Sequence, residues 1–219
     1  MQYSIFLAIK DLIMSIELRK KFEDELNRYL KGNITLTKNM KILKNKIKIN
    51  GVDAINNRGE LSWGYLNNAN GYFLSIFVAS DELNDFFDEL APPYKSNLLT
   101  GNVFFMNTLM EKFKIFATKI GGTVDLPKNE QERIEACEWI YTKMEDIYLP
   151  RVINIIELKP EAIDDIVANP DYYAYPFLTI LYVIKKNNLS LNDLNMESIF
   201  SKKIFGNKSF DKNLLDIYL

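Results

Sequence analysis

Apolar side chains recur at helical spacing in the region that follows residue 80. Ser80 is a favoured N-cap residue, and acidic residues follow it in the first turn, where the helix dipole stabilises anions. Pro92 and Pro93 end this segment because proline cannot continue a helix. The apolar stripe of the predicted helix consists of Leu83, Phe86, Phe87 and Leu90.

The longest apolar stripe covers residues 99–120. Its members follow one another at intervals of four and three residues, which is the spacing of one helix face, and they are Leu99, Val103, Met106, Met110, Phe113, Ala117 and Ile120. Gly121 and Gly122 follow as a C-cap signal. We therefore predict a core helix over 99–120, and Phe113→Ala is expected to cost about 3–5 kcal/mol through the cavity it leaves.

Further helices are predicted on both sides of these two. The start of the chain carries a partial apolar stripe that indicates one helix or two. Pro127 begins a helix with Cys137 in its apolar stripe, so the thiol is interpreted as buried and inert. Residues 177–186 are apolar nearly all round, which is typical of a fully buried helix. Ser190 and Asp193 have the spacing of a capping box.

An aromatic cluster precedes this buried helix. Two prolines, Pro170 and Pro176, accompany the cluster, which consists of Tyr172, Tyr173, Tyr175 and Phe177. Core packing at a kinked helix start is the interpretation we favour, because large rings dominate protein cores. The alternative is a recognition surface, since aromatic residues also dominate interface hot spots.

Residues 34–79 have a different pattern. Leu43, Ile47 and Ile49 alternate with lysines, and Asn67 to Gly71 form a loop signal between two apolar runs. These features predict three or four strands of a small antiparallel sheet, packed against a helical bundle. The predicted fold class is α+β, mostly α. We predict a single domain over residues 1–219, with a seam near residues 92–98 as the place where it could divide.

The composition is that of an ordinary globular protein, with 219 residues, of which 47% are hydrophobic and 26% are charged. One cysteine excludes an intramolecular disulfide, which suits a reducing compartment. The longest apolar run, residues 172–184, is too short to span a bilayer. We therefore expect a cytoplasmic protein that does not insert into a membrane.

The absence of histidine restricts the possible chemistry. It removes histidine-dependent triads and every metal site that needs an imidazole. No phosphate-binding or dinucleotide-binding glycine motif occurs either. No catalytic residue, cofactor or metal is therefore predicted, and the sequence does not define an oligomeric state. An enzyme that works through carboxylates stays an alternative.

The helix that begins after Ser80 is the main candidate for a partner-binding surface. Residues 59–219 carry fifteen basic and twenty-three acidic side chains, a net charge of −8. The candidate partner-binding residues on this helix are Asp81, Glu82, Asp85, Asp88 and Glu89. The alternative is a solvated helix face with no binding role.

A second charged candidate is the lysine-rich strand. Lys44, Lys46 and Lys48 project to one side of the predicted strand, where they could contact phosphates. A solubilising edge strand explains the same residues, because lysine prevents sheets from pairing edge to edge. Nucleic acid is therefore not the partner that we predict.

Taken with the absence of catalytic motifs, the acidic surface favours a non-enzymatic protein-binding protein. Such a protein would be a bacterial immunity-like inhibitor or an adaptor, and its partner would be a basic protein, since complementary charge speeds association. Two alternatives stay open at this point. One is a histidine-independent enzyme that uses carboxylates, and the other is a nucleic-acid contact through the lysine-rich strand.

Overall fold

The structure is a computed structural model that describes residues 2–54, 56–99, 101–118, 122–190, 194–201 and 203–218. A π-helical turn (Met144–Tyr148) follows α3, and a 3-10 turn (Pro170–Tyr172) precedes α6. The α-helices are α1 (Gln2–Asn33), α2 (Asp81–Leu90), α3 (Glu130–Lys143), α4 (Leu149–Ile156), α5 (Ala162–Ala168), α6 (Pro176–Asn187), α7 (Met196–Ile199) and α8 (Lys208–Tyr218). The strands are β1 (Met40–Ile42), β2 (Lys46–Asn50), β3 (Asn57–Leu66), β4 (Gly71–Ser80), β5 (Phe104–Asn107) and β6 (Val124–Asp125).

The strands form one small antiparallel sheet in the order β1-β2-β3-β4-β5, with β6 paired to β4. Gly71 faces Asp125 in the antiparallel β4–β6 register. The turn over residues 67–70 joins β3 to β4 where the hairpin loop was predicted. The α+β, mostly helical fold class is therefore confirmed.

The chain divides into two compact units. The first unit comprises Met1–Ile47, Ser62–Ser75 and Asn107–Ile147. The second unit comprises Lys48–Leu61, Ile76–Met106 and Tyr148–Leu219. The predicted seam near residues 92–98 lies inside the second unit, and the number of domains stays a prediction.

The first unit packs α1 against α3. Phe22, Leu26 and Leu30, which share one face of α1 at intervals of four residues, are fully buried. The nearly buried Arg133 of α3 donates from Nε to the Glu25 carboxylate of α1 at 2.6 Å. Burial of this charge is tolerated because it is paired. Apolar packing and one ion pair thus hold the two helices together.

The second unit is built around α6, which packs against α2, α5 and α8. Every residue from Pro176 to Leu181 is buried, and so are Val183 and Ile184. The helix predicted over 177–186 is therefore confirmed and is buried over most of its length, but Lys185 and Lys186 at its end are exposed. The C-terminal α8 docks through Asp211, which is fully buried and accepts a hydrogen bond from the Tyr94 hydroxyl at 2.7 Å. Asn188 ends α6 in a left-handed conformation with φ 51°.

The core helix predicted over 99–120 is wrong. Within this range, the described residues form strand β5 and turns. Val103 and Thr108 donate backbone hydrogen bonds to Val78 and Leu74 of β4, at 2.9 and 3.0 Å. Because side chains alternate along a strand, the spacing of three and four residues did not correspond to one face. Phe113 is 78% exposed, so truncating it would leave no cavity.

The remaining segments refine several predicted boundaries. The helix expected from Pro127 begins at Glu130, with Asn129 as its N-cap, because the Asn129 side chain accepts from the Glu132 amide at 2.9 Å. The start of the chain forms one helix, α1. The capping box expected from Ser190 and Asp193 lies partly outside the described residues.

Candidate functional site

Helix α2 forms where it was predicted and carries the candidate acidic residues. The Ser80 hydroxyl accepts from the Leu83 amide at 3.2 Å, so the N-cap is confirmed. Of the predicted stripe, Leu83, Phe86 and Phe87 are buried, and Leu90 at the end of the helix is half-buried. The exposed side chains on the opposite face are those of Asp81, Asp85, Asp88 and Glu89.

Glu82 differs from the other four acidic residues because it points into its own unit. Its carboxylate accepts from the Tyr182 hydroxyl at 2.9 Å and from Lys186 Nζ at 2.9 and 3.1 Å. The Asn57 amide nitrogen donates to it at 2.8 Å. Burial and this carboxylate together raise the pKa of Tyr182 to about 12. Glu82 is therefore an internal structural ion, and its carboxylate is already satisfied.

The four exposed acids are not equivalent either. Asp81 lies 3.7 Å from the guanidinium of Arg58, and both side chains are more than half exposed. An ion pair in this setting contributes little to stability. Among the described residues, no cation lies within salt-bridge distance of Asp85, Asp88 or Glu89. These three carboxylates form what we call the acidic patch.

A groove of about 380 Å³ lies beside the acidic patch, within the second unit. It begins where α2 ends, because Ala91 adopts a left-handed conformation with φ 43° and turns the chain away from the helix axis. Its lining residues are Asn84, Phe87, Asp88, Ala91, Pro92, Ser96, Leu98, Leu99, Gly101, Asn102, Ala174 and Tyr175.

The groove combines a fixed aromatic wall with an exposed apolar side chain. The rings of Phe87 and Tyr175 meet edge to face, with 4.9 Å between their centroids. The ring of Tyr94 contacts Tyr175 on its other side at 5.7 Å. Leu99 is 85% exposed at the same groove. Asp88 is the residue that belongs to both the groove and the acidic patch.

The lysine-rich segment does not form one continuous row on a strand. Ile47 and Ile49 are buried in β2, and Lys46 and Lys48 lie on its other face, which confirms the predicted alternation. Lys44 precedes β2 in the turn that follows β1. The short β1 pairs with β2, so β2 is not the edge strand that was expected.

Cys137 is 3% exposed in α3. Burial raises the pKa of its thiol to about 12, and the nearby Glu25 carboxylate acts in the same direction. A nucleophilic thiol needs the opposite environment. The prediction of a buried cysteine is confirmed, and the cysteine therefore offers no nucleophile at neutral pH.

The aromatic cluster predicted as core is largely buried, with Tyr173 and Phe177 at 0% and 1% exposure. Two of its members, Tyr172 and Tyr173, contact an ion pair that the sequence analysis missed. The Arg151 Nε donates to the Asp165 carboxylate at 2.9 Å, and the Tyr173 hydroxyl donates to the same group. Burial raises the pKa of this hydroxyl well above its ordinary value, and Asp165 contributes to the rise. Tyr173 is therefore part of a structural network, whereas the half-buried Tyr175 lines the groove.

Other functional features were also missed by the sequence analysis. The groove draws on one face of α2 and on two further chain segments, residues 96–102 and 174–175, and no single periodic pattern covers all three. Leu99 was placed in the stripe of the predicted core helix, so nothing in the sequence marked it as the exposed apolar side chain of a groove. In the described part of the chain, no cluster of three or more acidic or cysteine side chains is arranged to hold a metal ion.

No protein-family model, curated protein or solved structure matches this chain. None of the described helices is long and apolar enough to cross a membrane. Function must therefore be argued from the surfaces of the molecule.

Proposed function

We propose that this protein binds a basic protein partner in the cytoplasm, through the acidic patch and the adjacent groove, without catalysing a reaction. An immunity-like inhibitor or an adaptor would act in this way. The observation that carries the proposal is the exposed Leu99 and the aromatic wall of the groove next to three carboxylates that lack a nearby cation among the described residues.

Interface energetics support this combination of features. A few apolar or aromatic anchors that enter a pocket supply most of the binding energy, and charged residues at the rim steer association. The groove provides an apolar contact surface, and Asp85, Asp88 and Glu89 provide a rim of one sign. A partner with an apolar side chain flanked by lysine or arginine would complement both parts.

The role of Glu82 changes from what the sequence suggested. Because its carboxylate accepts from three donors of the same unit, a partner would have to break those contacts to use it. Asp81 has Arg58 beside it, so its charge is partly compensated. We therefore assign the partner contact to the acidic patch and leave Glu82 as a support for α2.

The test separates charge from apolar contact. A photo-crosslinking amino acid at position 99 of the full chain would identify the partner in a native lysate, and surface plasmon resonance would then measure its binding at two ionic strengths. Neutralising the acidic patch with Asp85→Asn, Asp88→Asn and Glu89→Gln should slow association about tenfold at low salt and leave dissociation nearly unchanged. Leu99→Ala should instead speed dissociation.

The control removes the same charge elsewhere in the second unit, through Glu161→Gln, Asp171→Asn and Glu197→Gln. These side chains are exposed and lie outside the groove. The control should keep the association rate of the unmodified protein. Equal slowing by both triple variants, or an unchanged dissociation rate for Leu99→Ala, would contradict the proposed surface.

A further inference from the structure

A second cavity lies in the first unit, and neither the acidic patch nor its groove contributes to it. It has a volume of about 560 Å³, which is in the range of small-molecule sites. Strand β6 and the residues after it form one side, and helix α3 forms the other. The lining residues are Asn70, Thr118, Val124, Asp125, Leu126, Pro127, Lys128, Glu132, Glu135, Ala136 and Trp139.

The base and one wall of this cavity are apolar and fixed. Val124, Leu126 and Ala136 are each at most 9% exposed. The indole of Trp139 stands at the wall and donates its N–H to the Phe116 carbonyl at 2.9 Å. Because this bond sets the ring orientation, the indole offers a preorganised surface to a ligand.

The polar part of the described lining is acidic, and two of its carboxylates accept local hydrogen bonds. Among the lining residues that the structure describes, the ionisable groups are the acids Asp125, Glu132 and Glu135 and the base Lys128. Glu132 accepts from the Lys128 amide at 2.7 Å and from the Asn129 amide group at 2.7 Å. Glu135 accepts from Gln131 at 2.8 Å. Carboxylates held in this way lose little conformational entropy when a cation binds.

The structure itself shows what kind of group the indole accepts. The Lys143 ammonium lies 4.5 Å from the centroid of the Trp139 ring, which is a cation–π contact. An alkylammonium is thus already held at the ring by a residue of the same helix. A second alkylammonium on a ligand would meet the same ring and the carboxylates of the cavity.

We propose that this cavity binds a flexible aliphatic polyamine. Its methylene segments would lie on the apolar base and against the indole, and its ammonium groups would pair with Glu132 and Glu135. A metal ion would not use the apolar base, and an anion would face the three carboxylates among the described lining residues. Polyamine binding stands apart from the protein-binding proposal because the two sites share no residue.

Spermidine is the probe for the first test, with the full chain labelled for two-dimensional NMR. The chain has two tryptophans, and Trp63 is 3% exposed while Trp139 lines the cavity. The indole resonance of Trp139, assigned with Trp139→Phe, should move and saturate with a dissociation constant below about 1 mM. The Trp63 resonance should stay in place.

Paired variants test the carboxylates without breaking the helix start. Glu132→Gln with Glu135→Gln should weaken spermidine binding at least about tenfold, since each loses a charge-assisted hydrogen bond. Gln at position 132 preserves the capping role, because either Glu or Gln serves there. The matched control is Glu130→Gln with Glu138→Gln on the same helix, outside the lining, and it should stay within about twofold.

A third variant should act in the opposite direction. Lys143→Met removes the cation that already occupies the indole and makes the surroundings more negative. Spermidine should then bind about two- to fivefold more tightly. If the substitutions only disturbed the structure, they would not lower the affinity for spermidine in the Glu variant and raise it in the Lys variant.

Four results would overturn the proposal. The first is a failure of the Trp139 resonance to saturate, and the second is an equal loss of affinity in the glutamine variant and its control. The third is a shift of the Trp139 resonance with magnesium chloride, at matched ionic strength, that equals the shift with spermidine. Such a result would show simple charge screening. The fourth is equal affinity for N-acetyl-lysine methylamide, which would show a site for a single lysine side chain instead of a polyamine.

Discussion

Helices α2 and α3 begin in the same way and use their acidic residues differently. Each has a side chain that caps its N-terminus, Ser80 in α2 and Asn129 in α3. In α2, Glu82 turns inward to Tyr182 and Lys186, and three other carboxylates lack a nearby cation among the described residues. In α3, Glu132 is held by its own first turn and stands at a cavity.

The role of a helix carboxylate therefore depends on which part of the chain supplies its hydrogen-bond donors. Donors from remote segments make the carboxylate part of the core network, as for Glu82. Donors from the adjacent turn leave one side of the carboxylate open to a ligand, as for Glu132. Acidic composition alone therefore does not show whether a helix forms a binding site or a solvated surface.

The structural role of Glu82 leads to the prediction with the greatest loss of stability. Glu82→Ala should lower the free energy of unfolding by about 2–3 kcal/mol, because it leaves the partners Asn57, Tyr182 and Lys186 without their acceptor. Glu132→Ala should cost about 1 kcal/mol, since only local capping contacts are lost. Urea titration measures both free energies of unfolding, and equal losses would contradict the different roles assigned to Glu82 and Glu132.

Removing either N-cap side chain should lower the free energy of unfolding by the same, intermediate amount. Ser80→Ala and Asn129→Ala each remove a side-chain acceptor for one amide of the first turn, so each should cost about 1 kcal/mol. Urea titration of the two variants is again the measurement. A loss confined to one helix would show that the two helix starts are not equivalent.

A smaller effect should appear in alkaline solution, at the contact between Tyr182 of α6 and Glu82 of α2. The pKa of Tyr182 is raised to about 12 by burial and by Glu82, so the fold favours the protonated hydroxyl. Its contribution is complete below the ordinary tyrosine pKa near 10 and should be lost as pH rises from there to about 12. Tyr182→Phe should flatten the decline of stability between these pH values, and an identical slope would remove Tyr182 as its source.

The smallest effect is expected at the acidic patch. Asp85→Ala and Asp88→Ala should each change the free energy of unfolding by less than about 0.5 kcal/mol, because both side chains are exposed and contact no described cation. Thermal unfolding of the two variants beside Glu82→Ala is the direct comparison. A loss close to that of Glu82→Ala would place these aspartates in the core network as well.

The sequence predicted those parts of the fold that depend on neighbouring residues. Helix α2 was predicted from Ser80 and the prolines after it, and α6 from its continuous apolar run. The helix predicted over residues 99–120 was wrong because its apolar spacing of three and four residues did not mark one face of a helix. The strand in this region depends on pairing with β4, which no local pattern shows.

The candidate site was predicted only in part for the same reason. The acidic residues of α2 could be named from sequence, but the inward turn of Glu82 could not. Its donors Asn57, Tyr182 and Lys186 lie 25, 100 and 104 residues away along the chain. Both cavities likewise gather residues from separated segments, which no local pattern records.

The burial of Cys137 has a practical consequence for spectroscopy. Since the chain has one cysteine and its thiol is buried with a raised pKa, a maleimide at neutral pH would find almost no native target. A cysteine introduced at an exposed position would then take a fluorophore or spin label on an unmodified background. With one label in each unit, the distance between the two labels could be measured before and after a partner or a polyamine is added.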